Sequence, residues 1–149
     1  MAMKIERIKV WAASIEDKPG ALARKLTGLA QAHANLEFVF SRVLGQPAGT
    51  GVVCVTPLKG ATQLRAAKAL GFEHLSRINT VRVETPDAPG VASQLTEKIA
   101  AAGLNLRGFS ANAHGKTGVI YLAFESGADA ATAVRALRKS GKTKVKSKK

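Results

Sequence analysis

The chain has 149 residues, 46% of them apolar but only 5% aromatic, and a formal charge of +13. That length suits one ordinary domain or two small ones with mainly aliphatic cores. It holds no apolar run of about 18 residues, so no helical membrane span is expected, and its one cysteine, Cys54, cannot form a disulfide framework.

The charge is unevenly spread. From Arg138 to Lys149 there are seven basic residues and no acidic one. Residues 139–149 are therefore expected to form a disordered basic tail. Such a tail is either a solvated end or a non-specific contact to nucleic acid. Met1 to Trp11 mixes Lys4, Glu6, Arg7 and Lys9 with apolar residues. It lacks the apolar centre of a signal peptide, so a cytoplasmic protein is expected.

Ile8, Val10 and Ala12 alternate with polar or exposed neighbours and predict a first strand. Asp17 before Pro19 predicts a helix start. The carboxylate can accept from unpaired backbone N–H groups, and Pro in the first turn gives up a donor that has no partner there. Leu22, Leu26 and Leu29 follow at helical spacing. Leu36, Phe38 and Phe40 alternate, so a second strand is predicted from near Asn35. Residues 45–51 are rich in glycine, with one proline, and read as a hairpin loop. Residues 51–55 predict a continuous, central third strand. Leu64, Ala67 and Leu70 predict a second helix closed by Gly71, and residues 72–75 a short fourth strand.

The second half repeats this order. Val81 and Val83 predict a strand. Ala92, Leu95, Ile99 and Ala102 share one helix face, ended by Gly103, and Leu104, Leu106 and Phe109 lead into a second strand. Residues 114–118 are turn material, residues 119–124 a third strand, and Ala130, Val134 and Leu137 mark a last helix. No apolar strand pattern follows Gly141, so the second unit is expected to lack its fourth strand. Strand–helix–strand–strand–helix–strand describes a ferredoxin-like unit, an antiparallel sheet with helices on one face. The reading is α+β, with units at 1–75 and 76–138 packed side by side.

The repeat carries the main functional signal. At one constant offset, Asp17-Lys18-Pro19-Gly20 falls on Asp87-Ala88-Pro89-Gly90, and Asn35-Leu36 falls on Asn105-Leu106. Glycine near a helix start lets the chain approach a ligand closely. Free N–H groups there favour a carboxylate, while an Asp side chain can answer an ammonium and an Asn can donate and accept. The same pattern also serves as a plain strand-to-helix turn.

At these loops and Asn-Leu pairs the chain resembles the ACT domain family, and is similar to small stand-alone proteins made of two such modules. The resemblance implies a non-catalytic regulatory module that binds an amino acid or similar effector where modules meet, and that forms a homodimer and signals to a protein partner. It implies ligand-binding roles for Asp17, Lys18, Pro19, Gly20, Ala21, Leu22 and Asn35. In the second module it implies them for Asp87, Ala88, Pro89, Gly90, Val91 and Asn105. Two places before each loop Asp, some amino-acid-binding members carry a polar residue; here those places hold Ile15 and Thr85.

Other signals are weak. His33, His74 and His114 have no ligand-spaced partners, so no metal site and no cofactor are expected. Residues 45–51 lack the Gly-Lys-Ser/Thr ending of a phosphate loop. Lys116-Thr117-Gly118 has no matching Ser-x-x-Lys, and no carboxylate pair suits acid/base chemistry. Trp11 and Tyr121 read as packing. The alternatives are weak, non-specific nucleic-acid binding through the tail, or a scaffold with vestigial ligand sites. The third strands offer too few aromatics for base stacking.

Overall fold

The computed structural model describes the backbone of residues 3–147 and the side chains of residues 3–139. The first strand, β1 (Lys4–Ile8), opens the chain but does not join the elements that follow it. Two compact units result. The first spans Lys9–Leu75, and the second joins the residues before Lys9 to those from Ser76 onward.

The first unit comprises β2 (Trp11–Glu16), α1 (Ala21–Gln31), β3 (Phe38–Val43), β4 (Thr50–Thr56), α2 (Gly60–Ala69) and β5 (Glu73–His74). Its sheet has the order β3-β4-β2-β5, antiparallel throughout. The apolar run in residues 51–55 lies on the inner strand β4, as its pattern predicts. Ala13, Leu29, Val53, Val55, Ala67 and Phe72 form the core, with Leu22, Leu26 and Leu36 packed against it. Full burial of side chains such as Leu29 and Val53 contributes about 1.5–3 kcal/mol each.

The second unit comprises β6 (Asn79–Pro86), α3 (Val91–Ala101), β7 (Gly108–His114), β8 (Thr117–Phe124) and α4 (Gly127–Ser147), together with β1. Its sheet order is β1-β6-β8-β7. The fourth strand expected to be missing is present, supplied by β1: Lys4 lies opposite Glu84, and Ile8 opposite Thr80. Residues 1–8, assigned by sequence to the first unit, thus group with the second as far as they are described. The physical reason is the edge of β6, which would otherwise expose a row of unpaired main-chain groups. Ile5 buries its side chain in the core with Val81, Val83, Leu95, Ile99 and Leu122.

Three boundaries differ from the sequence reading. The single strand through Ile8, Val10 and Ala12 is two strands, broken at Lys9 and Val10. In β2 it is Ala13 that is buried, with Ile15 packed on the core. The second strands begin at Phe38 and Gly108, not at the Asn-Leu pairs; Leu36 and Leu106 instead pack on the two cores from the preceding turns. Finally, α4 is described as a helix through Ser147, past residue 139 where the tail was expected to begin. Ala130, Ala133, Val134 and Leu137 anchor this helix. Lys148 and Lys149 lie outside the described residues. No helix among the described residues is long and apolar enough to cross a membrane.

Candidate functional site

Each Asp-x-Pro-Gly loop connects a strand end to a helix start and is tied to the hairpin beside it. The Asp17 N–H donates to the Gly49 carbonyl at 2.9 Å, and the Asp87 N–H to the Lys116 carbonyl at 2.8 Å. Asp17 and Asp87 do not cap the helices, as the sequence had suggested. The N-cap positions are Gly20 (φ 86°) and Gly90 (φ 85°), both left-handed, and neither helix has a side-chain cap bond. A side chain in that region costs about 1–2 kcal/mol, which accounts for glycine. The Ala21 and Val91 N–H groups donate to the Lys18 and Ala88 carbonyls at 3.3 Å, and no side chain caps the next N–H groups of either first turn.

In the second unit a cavity of about 190 Å³ lies beside this turn. Thr85 on β6, together with Gly118 and Ile120 on β8, forms its floor. The loop and first helical turn supply Asp87, Ala88, Gly90 and Val91, and β7 supplies its edge from Ala111 to Ala113. Alternation along β7 puts the Ala111 and Ala113 methyls on this face and the Asn112 side chain on the other, so Asn112 contributes main chain. Thr85 is only 2% exposed. The Asp87 carboxylate reaches over the floor, with Oδ1 3.9 Å from the point where a methyl on Gly118 would stand. The site therefore combines helix-start N–H groups, a carboxylate and a buried threonine around a small apolar floor. It can hold a compact polar molecule with separated positive and negative ends. The volume is below the range of about 300–1,000 Å³ typical of drug-sized ligands.

The first unit fills the matching space. Ile15 replaces Thr85 and lies opposite Gly51, as Thr85 lies opposite Gly118. A methyl on Gly51 would stand 3.2 Å from Ile15 Cγ1 and 2.9 Å from the Arg42 carbonyl oxygen; on Gly118 its nearest neighbour would be 3.7 Å away.

Of the residues singled out by sequence, Asp87, Ala88, Gly90 and Val91 come together around the cavity. Pro89 is exposed on the same loop. Asp17, Lys18, Pro19 and Gly20 are also exposed, Ala21 is buried, and Leu22 packs on the core. Asn35 and Asn105 are exposed in the turns before β3 and β7, and neither lines a cavity described here. Ala111, Gly118 and Ile120 escaped the sequence reading. The signal that could have found Gly118 is its match to Gly51, a glycine inside a strand, which marks close backbone approach.

Among the described residues no three His, Cys, Asp or Glu side chains gather as a metal site. His74 meets Trp11 edge to face at 5.8 Å, and Tyr121 is buried. Burial pushes the Cys54 thiol above its usual range.

No protein-family model matches the chain, and no curated protein sequence does. Solved structures do match. A protein of Bacteroides thetaiotaomicron superposes with a TM-score of 0.75 at 16% identity, over 92% of this chain and 90% of that one. The regulatory subunit of aspartate kinase from Thermus thermophilus, in its ligand-free form, gives 0.62 at 16% identity, over 93% and 96%. The same subunit from Thermus flavus gives 0.59 at 17% identity, also over 93% and 96%. At such identities the likeness is one of fold, and on that ground this chain has the tandem ACT-type fold, two ferredoxin-like units in one polypeptide, the first in the order βαββαβ and the second with β1 as its fourth strand.

Proposed function

We propose that the protein is a non-catalytic regulatory module whose second unit binds an amino acid in the Thr85–Asp87–Gly90 cavity. The carrying observation is the convergence, around 190 Å³, of a glycine-started helix, the Asp87 carboxylate and the buried Thr85. The α-carboxylate faces the first-turn N–H groups of α3, and the α-ammonium faces Asp87. The small floor admits a short side chain. The regulatory role of the superposable aspartate kinase subunits supports the reading. In the same reading the protein is cytoplasmic and acts on a protein partner.

A homodimer belongs to this proposal. Edge strand β3 leaves Val39, Phe40 and Val43 exposed, and edge strand β7 leaves Phe109 exposed. Covering such edges with a second copy removes apolar surface and unpaired main chain from water.

A thermal-shift panel of the twenty amino acids tests the effector assignment, because a ligand of the native state must stabilise it. At least one amino acid is expected to raise the melting temperature at millimolar concentration, and to do so less in the Asp87→Asn variant. A flat panel contradicts the reading.

A further inference from the structure

The first unit holds a different cavity of about 350 Å³, formed by β2, α1 and the end of α2. Its construction depends on the shortness of β5. That strand pairs only with Trp11 and Ala12, so β2 has no described partner strand on that side from Ala13 to Glu16. The Asp17 N–H points to the β4 side. By alternation, the main-chain groups of Ser14 and Glu16 point the other way, toward the open edge. In the second unit the same edge is closed, because β1 pairs along β6 as far as Glu84.

The walls are basic and apolar. Ala21, Arg24 and Lys25 lie on one face of α1, and Ala69 and Leu70 close the far side. Leu70 is seated tightly on α1: a methyl on Gly28 would stand 2.7 Å from its Cδ1. The Lys25 ammonium donates to the Leu70 carbonyl and so fixes one positive charge at the end of α2. Arg24 is exposed and carries a second. The carboxylate in this cavity, Glu16, is already paired with Lys18 at 2.7 Å. Both cations are peculiar to this unit. At the matching places the second unit has Gln94 and Leu95, and Leu95 is buried in its core.

We propose that this cavity binds a small carboxylate with a short apolar body. The Arg24 guanidinium takes the carboxylate side-on, in the bidentate geometry that arginine favours. Lys25 adds positive charge, and the open N–H groups of β2 offer further donors. The apolar body rests on Ile15, Ala21, Ala69 and Leu70. The site lies in the other unit from the proposed amino-acid cavity and stands or falls independently of it.

The test is a two-dimensional NMR titration of the whole chain with isovalerate, and separately with inorganic phosphate. Isovalerate is expected to give saturable shifts, in the millimolar range, at the amides of Ser14, Glu16, Arg24 and Leu70. Arg24→Gln should weaken binding about tenfold or more, and Arg24→Lys should restore part of it because charge returns without the fork. Asp87→Asn should leave the titration unchanged. No saturable shift at tens of millimolar, or equal binding by Arg24→Gln, overturns the proposal. Phosphate binding as well as isovalerate would overturn the role of the apolar body.

Discussion

Ile5 lies directly opposite Val83 across β1 and β6, and both side chains are buried in the core of the second unit. The start of the chain therefore completes a unit whose other elements begin only after Leu75. Ile5→Ala is expected to cost about 2–4 kcal/mol, as for other large-to-small core changes. Native-state hydrogen exchange locates the loss. Amides of Val81 and Val83 should lose protection, while those of Val53 and Val55 in the first unit keep theirs. Equal loss in both units contradicts this division.

The matched glycines Gly51 and Gly118 should respond unequally to the same substitution. On Gly51 a methyl meets the Arg42 carbonyl oxygen at 2.9 Å, whereas on Gly118 every neighbour is at ordinary contact distance. Gly51→Ala is expected to destabilise by about 1–3 kcal/mol through overpacking. Gly118→Ala should change stability little but should intrude on the cavity floor and abolish amino-acid stabilisation. Chemical denaturation with and without ligand reads both effects.

These two glycines also show what sequence could and could not reveal. The repeated Asp-x-Pro-Gly turns were legible because their backbone geometry demands particular residues, and Asp87 and Gly90 of the second turn line the cavity beside it. Asn35 and Asn105 are exposed and apart from the cavities, and an Asn before a strand looks the same in sequence whether it serves a ligand or faces solvent. The pairing of β1 with β6 was not legible. Alternation in residues 4–8 marks a strand but says nothing about its partner, and the nearest strand in sequence is β2. The contrast of Ile15 with Thr85 was visible in the sequence; that it decides whether the space beside the loop is filled follows only from their positions opposite Gly51 and Gly118.

The Glu16 carboxyl is held below its ordinary range, first by its hydrogen bond and charge interaction with Lys18, then by the charge of Arg24. A carboxyl depressed in the folded state adds stability above its unfolded midpoint and loses it as pH falls through the folded one. Because Glu16 is exposed, the effect should be small and weakened by salt. An NMR titration of the Glu16 carboxyl checks the cause. Lys18→Ala should raise its midpoint toward the ordinary value, and more than Arg24→Gln does. A larger response to Arg24→Gln contradicts the assignment.

Burial holds the half-buried Cys54 thiol in its protonated form. Since the thiolate is the reacting species, alkylation at neutral pH should be slower than for a free cysteine and should accelerate on unfolding in denaturant. Reaction with iodoacetamide, followed by mass spectrometry, measures this. A rate equal to that of a free thiol in the native protein would contradict it.

On the proposed function, the turn at Gly90 opens onto an amino-acid site. A crystal structure grown with a mixture of amino acids tests it most directly. Ligand density is expected between Asp87 and the start of α3, with the ligand's carboxylate toward the main chain of the first helical turn. The same crystals showing that space closed by Thr85 or Asp87, with the amino acid absent or bound elsewhere, would contradict it.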